Sequence, residues 1–197
     1  AHGNEPSHHM AWLYHYAGRP EKSAVRVRQI LDTLYGTGAE GLCGNEDCGQ
    51  MSSWYVLAAI GLYPVCPGNN EYLIGAPLFE ETVLHLPDDR RFVIRAAGAA
   101  SGRPFVTSAR LNGDHLARSY LRHDEILRGR GLTLTLGASP SSAWGHALAE
   151  RPDPIGALRQ AALTASRDDR DALESRLEEI EYEEHRDTGH ARDLDLR

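Results

Sequence analysis

The chain has 197 residues, of which 41% are hydrophobic and 25% are charged, a composition typical of soluble globular proteins. Its net charge of -7 argues against a nucleic-acid-binding protein, because no broad basic surface is available to neutralise phosphates. No apolar run approaches the ~20 residues that a transmembrane helix needs. The length allows one large domain or two small ones.

A first helix is predicted directly after a polar motif at the N-terminus, residues 2–9, and runs to about Ala17. Pro6 suits a first helical turn, and Gly18 suits the position just after a helix. Aromatic and aliphatic residues fill most of its positions, which predicts that this helix is mostly buried. Because the chain opens on this dense motif without an initiator methionine, we expect it to be part of a longer protein.

Two further helices are predicted before residue 68. The second starts at Arg19-Pro20 and runs to about Tyr35, with apolar residues at three- and four-residue steps on one side only. The third runs from about Gln50 to Ile60 and is apolar nearly all round, which predicts a buried helix. Two buried helices with an amphipathic helix between them are the pattern of helical hairpins that wind into a toroid.

A polar, acidic loop lies directly before the third helix, at residues 44–50. Its glycines allow the backbone to approach a ligand, and a helix N-terminus favours the ionised form of a nearby carboxylate. We therefore expect Asp47 to be an ionised base. If the two buried helices run parallel, both polar motifs open at the same end, and Glu5 shares a cavity with Asp47. The alternative is that Asp47 only caps the helix.

The character of the chain changes after Pro64 and Pro67. Strands are predicted at residues 83–86, 92–95, 105–109 and 132–136, with turns at Pro87-Asp88-Asp89 and Asn112-Gly113-Asp114. We interpret residues 1–68 as a helical segment, residues 69–146 as an antiparallel, sandwich-like β module, and residues 147–197 as a charged helical tail that is partly disordered. The predicted fold class is α+β.

Three cysteines, Cys43, Cys48 and Cys66, cannot all pair with one another. We expect them to be free, buried thiols. A zinc site at Cys43 and Cys48 would need two further ligands at suitable spacing, and the nearest histidines are far away in the sequence.

Several motifs together resemble family 92 of the glycoside hydrolases, the calcium-dependent exo-α-mannosidases. The resemblance spans residues 2 to 146 in the family's order, and five motifs in sequence are strong evidence where each alone is moderate. The motifs are Gly3-Asn4-Glu5-Pro6-Ser7-His8-His9, Gly44-Asn45-Glu46-Asp47-Cys48-Gly49-Gln50-Met51-Ser52, Gly61-Leu62-Tyr63-Pro64-Val65-Cys66-Pro67-Gly68, Ile74-Gly75-Ala76-Pro77-Leu78-Phe79, and Leu111-Asn112-Gly113 with Trp144-Gly145.

The resemblance implies the C-terminal portion of an exo-acting, inverting α-mannosidase, with α-1,2 linkages as the expected substrate. It implies a catalytic domain built as an (α/α)6 toroid, of which three helices are visible here, with β-sandwich material beside it. The implied partners are mannose-containing glycans, Ca²⁺ and the rest of the catalytic domain upstream. The implied location is secreted or periplasmic. The family's general acid lies before Asn4-Glu5-Pro6, so we expect no mannosidase activity from this chain alone.

The resemblance also assigns individual residues. Asp47 matches the proposed base, and Asn45 stands where some members carry a second aspartate. Glu5 matches a residue of the calcium and mannose site, with Asn4 as a weaker metal ligand. The expected sugar contacts are His2, Glu5, Glu46 and Gln50. We expect His8 and His9 to serve packing and hydrogen bonding. The alternative reading is a non-catalytic carbohydrate-binding or structural remnant of such an enzyme.

Overall fold

The computed structural model describes residues 2–66 and 68–152. Residues Ala1–Asp153 form one compact unit. Of the charged tail predicted at residues 147–197, the part from Asp153 onward lies outside the described residues, and the predicted domain boundaries after residues 68 and 146 stay predictions. None of the helices in the described residues has the length and apolarity needed to span a bilayer.

The first predicted helix is not an α-helix but two short 3-10 helices, Glu5–Ser7 and Met10–His15. Trp12 and His15 are buried, while Met10 and Leu13 are 57% and 43% exposed, so the prediction of a mostly buried helix is also wrong. The physical reason is that contacts distant in the sequence override the local pattern. His15 is held in the core by Ser23 Oγ and by the carbonyl oxygen of Ile74, each 3.0 Å away.

The second and third predicted helices are present as α1, Pro20–Thr33, and α2, Gln50–Ile60. One side of α1 is buried, at Ser23, Val27 and Leu31, as its amphipathic pattern predicts. The interior side of α2 includes Trp54, which is fully buried as expected. However, Val56 is 56% exposed, so α2 is not buried all round.

Eight strands form two sheets in the described residues. One sheet has the order β1-β2-β7 and the other the order β3-β4-β8-β5-β6. The strands are β1 Leu62–Tyr63, β2 Glu71–Ile74, β3 Glu81–His85, β4 Arg91–Ala97, β5 Phe105–Leu111, β6 Asp114–His115, β7 Tyr120–Arg122 and β8 Arg130–Gly137. A short helix, α3 (His123–Leu127), follows β7, and two further 3-10 helices lie at Ala99–Ser101 and Leu148–Glu150.

The prediction of a purely antiparallel module is wrong, because β8 lies between β4 and β5 and runs parallel to β4. A parallel neighbour needs a long crossover connection, which β5, β6, β7 and α3 provide here. All four predicted strand runs lie within or overlap strands. Both predicted turns are present, and Asp88, Asp89 and Asn112 have the left-handed backbone typical of tight hairpins.

Two hydrophobic clusters form the interior. Both sheets contribute to the larger one, which includes Phe92, Leu121 and Leu132. The smaller cluster is centred on Trp12 and Trp54 and joins the 3-10 helices to α1 and α2. Helices with mixed sheets confirm the α+β class, whereas the toroidal arrangement stays a prediction. The three cysteines are free but exposed, so their predicted burial is wrong.

Candidate active site

The two polar motifs are in direct backbone contact. A Cβ atom at Gly44 would lie 2.2 Å from the carbonyl oxygen of Gly3, and a Cβ atom at Gly3 would lie 2.6 Å from that of Cys43. Real Cβ atoms do not approach so closely, so only glycine fits at either position. This contact brings Glu5 together with Asp47, as expected from the sequence, although a 3-10 segment takes the place of the buried helix assumed there.

The acidic loop has an unusual backbone. Asp47, Cys48 and Gly49 are all left-handed, with φ of 43°, 57° and 87°. This conformation costs each of the two non-glycine residues on the order of 1 kcal/mol. Such a run persists only when its surroundings hold it.

The first turn of α2 is capped by Glu46 rather than by Asp47. Glu46 Oε1 accepts a hydrogen bond from the Ser52 amide at 3.1 Å, and Glu46 Oε2 accepts one from Ser52 Oγ at 2.8 Å. The N-cap position is Gly49, and it has no side-chain hydrogen bond. The alternative in which Asp47 is only a helix cap is therefore wrong, and its carboxyl group is available to Glu5.

The carboxyl groups of Glu5 and Asp47 are hydrogen-bonded to each other. This contact raises the pKa of Asp47 above its ordinary value, with burial and the charge of Glu5 acting in the same direction. The pKa of Glu5 is lowered, mainly by a hydrogen bond from its own backbone amide. Of the two carboxyl groups, Asp47 is therefore the one that holds a proton more readily. The helix N-terminus favours the ionised form of Asp47, whereas its contact with Glu5 acts in the opposite direction, and its role as an ionised base stays a prediction.

The pair has a donor set that suits a hard cation. Glu5 Oε1 is buried and has no hydrogen-bond partner among the described residues. Two adjacent carboxylates repel each other unless a proton or a cation lies between them. Calcium prefers carboxylate, carbonyl and water oxygens. The described residues contain no group of three or more His, Cys, Asp or Glu side chains around one point, so the ligands that these residues could add to the pair are amide or hydroxyl oxygens.

The other predicted metal ligand and the second base candidate are both exposed. The Asn4 backbone carbonyl accepts hydrogen bonds from the Ser7 amide and hydroxyl, at 3.0 and 2.7 Å. The side-chain oxygen of Asn4 is therefore the atom of this residue that could bind a metal ion. Asn45 is exposed beside Glu46 in the loop. Their roles stay predictions.

Aromatic side chains surround His2. Its Nε2 atom lies 2.8 Å from the hydroxyl oxygen of Tyr35, and its ring stacks on that of His8 with centroids 4.8 Å apart. The ring also meets the Trp54 ring edge to face at 4.2 Å. Burial, followed by the nearby His8, lowers the pKa of His2 to about 4, so the ring is neutral at physiological pH.

His8 is buried and serves packing, as predicted. Its Nε2 atom lies 3.2 Å from Met51 Sδ, and its backbone carbonyl accepts a hydrogen bond from Trp54 Nε1 at 3.0 Å. Gln50 Nε2 lies 3.3 Å from His8 Nδ1, which ties this predicted sugar contact to the buried histidine.

A cleft of about 350 Å³ opens beside these residues. That volume is in the range of small-ligand sites. Its walls combine polar and aromatic groups, from Glu5, His8, His9, Gln50, Ser53, Trp54, Leu57, Tyr63, Pro64 and Val65. The sequence-based assignment missed Tyr35, which lies 33 residues from its partner His2 and has no motif to mark it. It also missed the role of Ser52, although Ser52 ends the second motif.

A model of the glycosyl hydrolase family 92 catalytic domain matches residues 1–138. An uncharacterized secreted glycosidase of Arthroderma benhamiae is 37% identical over 158 residues, which are 79% of this chain and 20% of that protein.

Solved structures of family 92 enzymes also resemble the chain. A family 92 inverting mannosidase from Bacteroides thetaiotaomicron is 47% identical, with a TM-score of 0.73 over 77% of this chain and 21% of that one. A family 92 α-mannosidase from the same organism, solved with mannoimidazole, is 36% identical, with a TM-score of 0.74 over 78% and 20% of the two chains. The chain thus spans about a fifth of the length of these relatives. It belongs to glycosyl hydrolase family 92.

Proposed function

We propose that this chain carries the base and calcium side of the site of an exo-acting, inverting α-mannosidase that acts on α-1,2-linked mannose in secreted form. The observation that carries the proposal is the contact between Glu5 and Asp47 beside a cleft of about 350 Å³. Support comes from the mannosidases of the same family that resemble the chain in sequence and fold.

In this proposal Asp47 is the general base. An inverting hydrolase activates a water molecule on the face of the sugar opposite the leaving group. Asp47 would accept the proton of that water while the water oxygen attacks the anomeric carbon, and an acid outside this chain would protonate the departing oxygen. Asn45, where some members carry a second aspartate, would position the water beside Asp47.

Glu5 is the proposed calcium ligand, with the side-chain oxygen of Asn4 beside it. When bound, the ion would supply positive charge that orients the sugar hydroxyls. Positive charge at this point also favours the ionised form of Asp47, which a base requires. Oε1 of Glu5 is the proposed calcium-binding atom, because it is buried and has no hydrogen-bond partner among the described residues.

The proposed sugar contacts are His2, Gln50, Glu5 and Glu46. The neutral ring of His2 is fixed by Tyr35 and Trp54, so it can offer one unprotonated nitrogen in a defined direction. Gln50 lines the cleft from the start of α2.

Titration calorimetry with mannose tests this proposal on the whole chain. We expect mannose to bind in the presence of calcium and not after chelation. In this proposal the ion supplies the positive charge that orients the sugar hydroxyls, and the Glu5 carboxylate without the ion supplies none. Glu5→Gln and Asp47→Asn should both abolish binding. Glu40→Gln, which removes an exposed carboxylate away from the cleft, is the matched control and should bind as the parent does. Equal binding with and without calcium would contradict the proposal.

The second candidate is a carbohydrate-binding or structural remnant without catalysis. It uses the same cleft of about 350 Å³ for the sugar and leaves out the proton transfer to Asp47. Incubation of the chain with an α-1,2-linked mannobiose separates the possibilities. We expect no release of mannose from the 197-residue chain, whereas calcium-dependent release would show that all the catalytic groups are present in it.

A further inference from the structure

Glu46 is bound to α2 twice, through its side chain and through its backbone. The carboxylate accepts hydrogen bonds from the amide and the hydroxyl of Ser52, at 3.1 and 2.8 Å. The backbone carbonyl accepts one from the Met51 amide at 3.3 Å. Both side-chain oxygens are therefore already occupied by the helix.

These bonds enclose the left-handed run of the acidic loop. The run lies between Glu46 and the first turn of α2, to which Glu46 is bound, and consists of Asp47, Cys48 and Gly49. With both ends of the run fixed, its backbone cannot relax to the more common right-handed conformation without breaking the bonds to Ser52. With the backbone in this conformation, the Asp47 carboxyl group reaches Glu5, and a change of φ at Asp47 would redirect its side chain.

We propose that Glu46 is a positioning residue whose carboxylate, through Ser52, fixes the left-handed run and thereby sets Asp47 against Glu5. This role differs from the direct sugar contact that the family resemblance suggests for Glu46, and it rests on the proposed function of Asp47. Glu46 acts through the loop and not on the substrate.

The loop conformation can be measured by NMR on the whole chain. A residue with positive φ gives a strong intraresidue cross-peak between its amide and α hydrogens, because these two hydrogens lie closer than at negative φ. We expect strong peaks at Asp47 and Cys48 in the parent chain. Glu46→Ala should lose them, whereas Glu46→Gln should keep them, since a carboxamide can accept from the Ser52 amide and donate to its hydroxyl.

Variants of Ser52 test the same bonds from the other partner. Ser52→Ala removes one of the two bonds and should weaken both peaks, while Ser52→Thr keeps the hydroxyl and should restore them. Ser53→Ala is the control for loop conformation, because the Ser53 hydroxyl makes no hydrogen bond within the described residues. These exposed positions keep the test open if Glu46→Ala does not fold.

Mannose titration in calcium then separates positioning from direct contact. We expect Glu46→Ala to weaken binding about tenfold, the size of a lost helix cap, and Glu46→Gln to bind nearly as the parent does. Strong peaks in Glu46→Ala would overturn the proposal. So would a loss of binding in Glu46→Gln with the peaks intact, because the charge of Glu46 would then act on the ligand. If the parent binds no mannose, the proposed function fails, and the NMR result alone decides whether Glu46 sets the loop.

Discussion

The two parts of the interior are built on different principles. The cluster shared by the sheets contains apolar side chains, such as Phe92 and Leu134. The interior beside the 3-10 helices and α1 includes buried polar groups, and His15 is the most connected of them. His15 Nδ1 lies 3.0 Å from Ser23 Oγ, and its Nε2 atom lies 3.0 Å from the carbonyl oxygen of Ile74.

This difference shows how the walls of the cleft are held in position. Apolar contacts are non-directional, and they stabilise the sheets in proportion to the area that they bury. Hydrogen bonds to buried histidines are directional, and an unmade one is costly, so they fix the geometry of the segment that contains Glu5. The sheets thus provide stability, and the polar interior provides the orientation of the candidate site.

The largest effect on stability should come from the sheet cluster. Phe92 is fully buried, and Phe92→Ala should lower the free energy of unfolding by about 3–5 kcal/mol through lost burial and a cavity. Urea unfolding measures this loss. Because Phe92 belongs to the other cluster, the folded fraction should bind mannose in calcium as the parent does. A changed affinity would show that the two parts are not separate in this way.

The next effect is a pH dependence that originates in the polar interior. Burial lowers the pKa of His15 from 6.5 to about 4, so the unfolded chain binds more protons between these values. Stability from neutral His15 is complete above pH 6.5 and is lost as the pH falls toward 4, by at most about 3 kcal/mol.

Urea unfolding at several pH values, with His15→Gln beside the parent, measures this dependence. The variant should be less stable at neutral pH and should show a flatter pH profile. His85→Gln, at an exposed position on β3, is the control and should keep the profile of the parent. Identical slopes in His15→Gln and the parent would contradict the assignment.

A substitution at the contact of the two motifs should lower stability by a smaller amount and should abolish mannose binding. Gly44→Ala places a Cβ atom 2.2 Å from the Gly3 carbonyl oxygen, and the resulting displacement should cost about 1–3 kcal/mol. It should also abolish calcium-dependent mannose binding, because Glu5 and Asp47 are moved apart. At Gly36, where an added Cβ atom meets nothing within 4 Å, alanine should leave binding unchanged. Retained binding in Gly44→Ala would contradict this account.

Much of the architecture could be predicted from local patterns. α1 has apolar residues at helical spacing, and β4 and β8 alternate buried with more exposed residues. Each pattern comes from burial of one face, so it can be recognised in the sequence. The parallel pairing of β4 with β8 could not be predicted, because it depends on which strands meet after a long crossover. The 3-10 form of Met10–His15 depends on the distant partners of His15, which have no local signal.

The candidate site shows the same division. The motifs placed Glu5 and Asp47 together, and the Gly3–Gly44 contact is the physical reason. The raised pKa of Asp47 was not predictable, because it comes from a contact between two carboxyl groups rather than from the nearby helix. The sequence also did not show that Glu46 bonds to the first turn of α2 while Asp47 contacts Glu5, since either acid could have capped the helix.

Carbon-13 NMR of the side-chain carboxyl groups during a calcium titration tests whether Glu5 and Asp47 bind the ion together. We expect the Asp47 and Glu5 carboxyl carbons to shift together, because a cation bound between the two groups acts on both. Asp88, an exposed acid with a similar left-handed backbone and a salt bridge to Arg90 at 3.2 Å, should not respond. Carboxyl carbons of Glu5 and Asp47 that stay unmoved, or that shift no more than that of Asp88, would contradict this expectation.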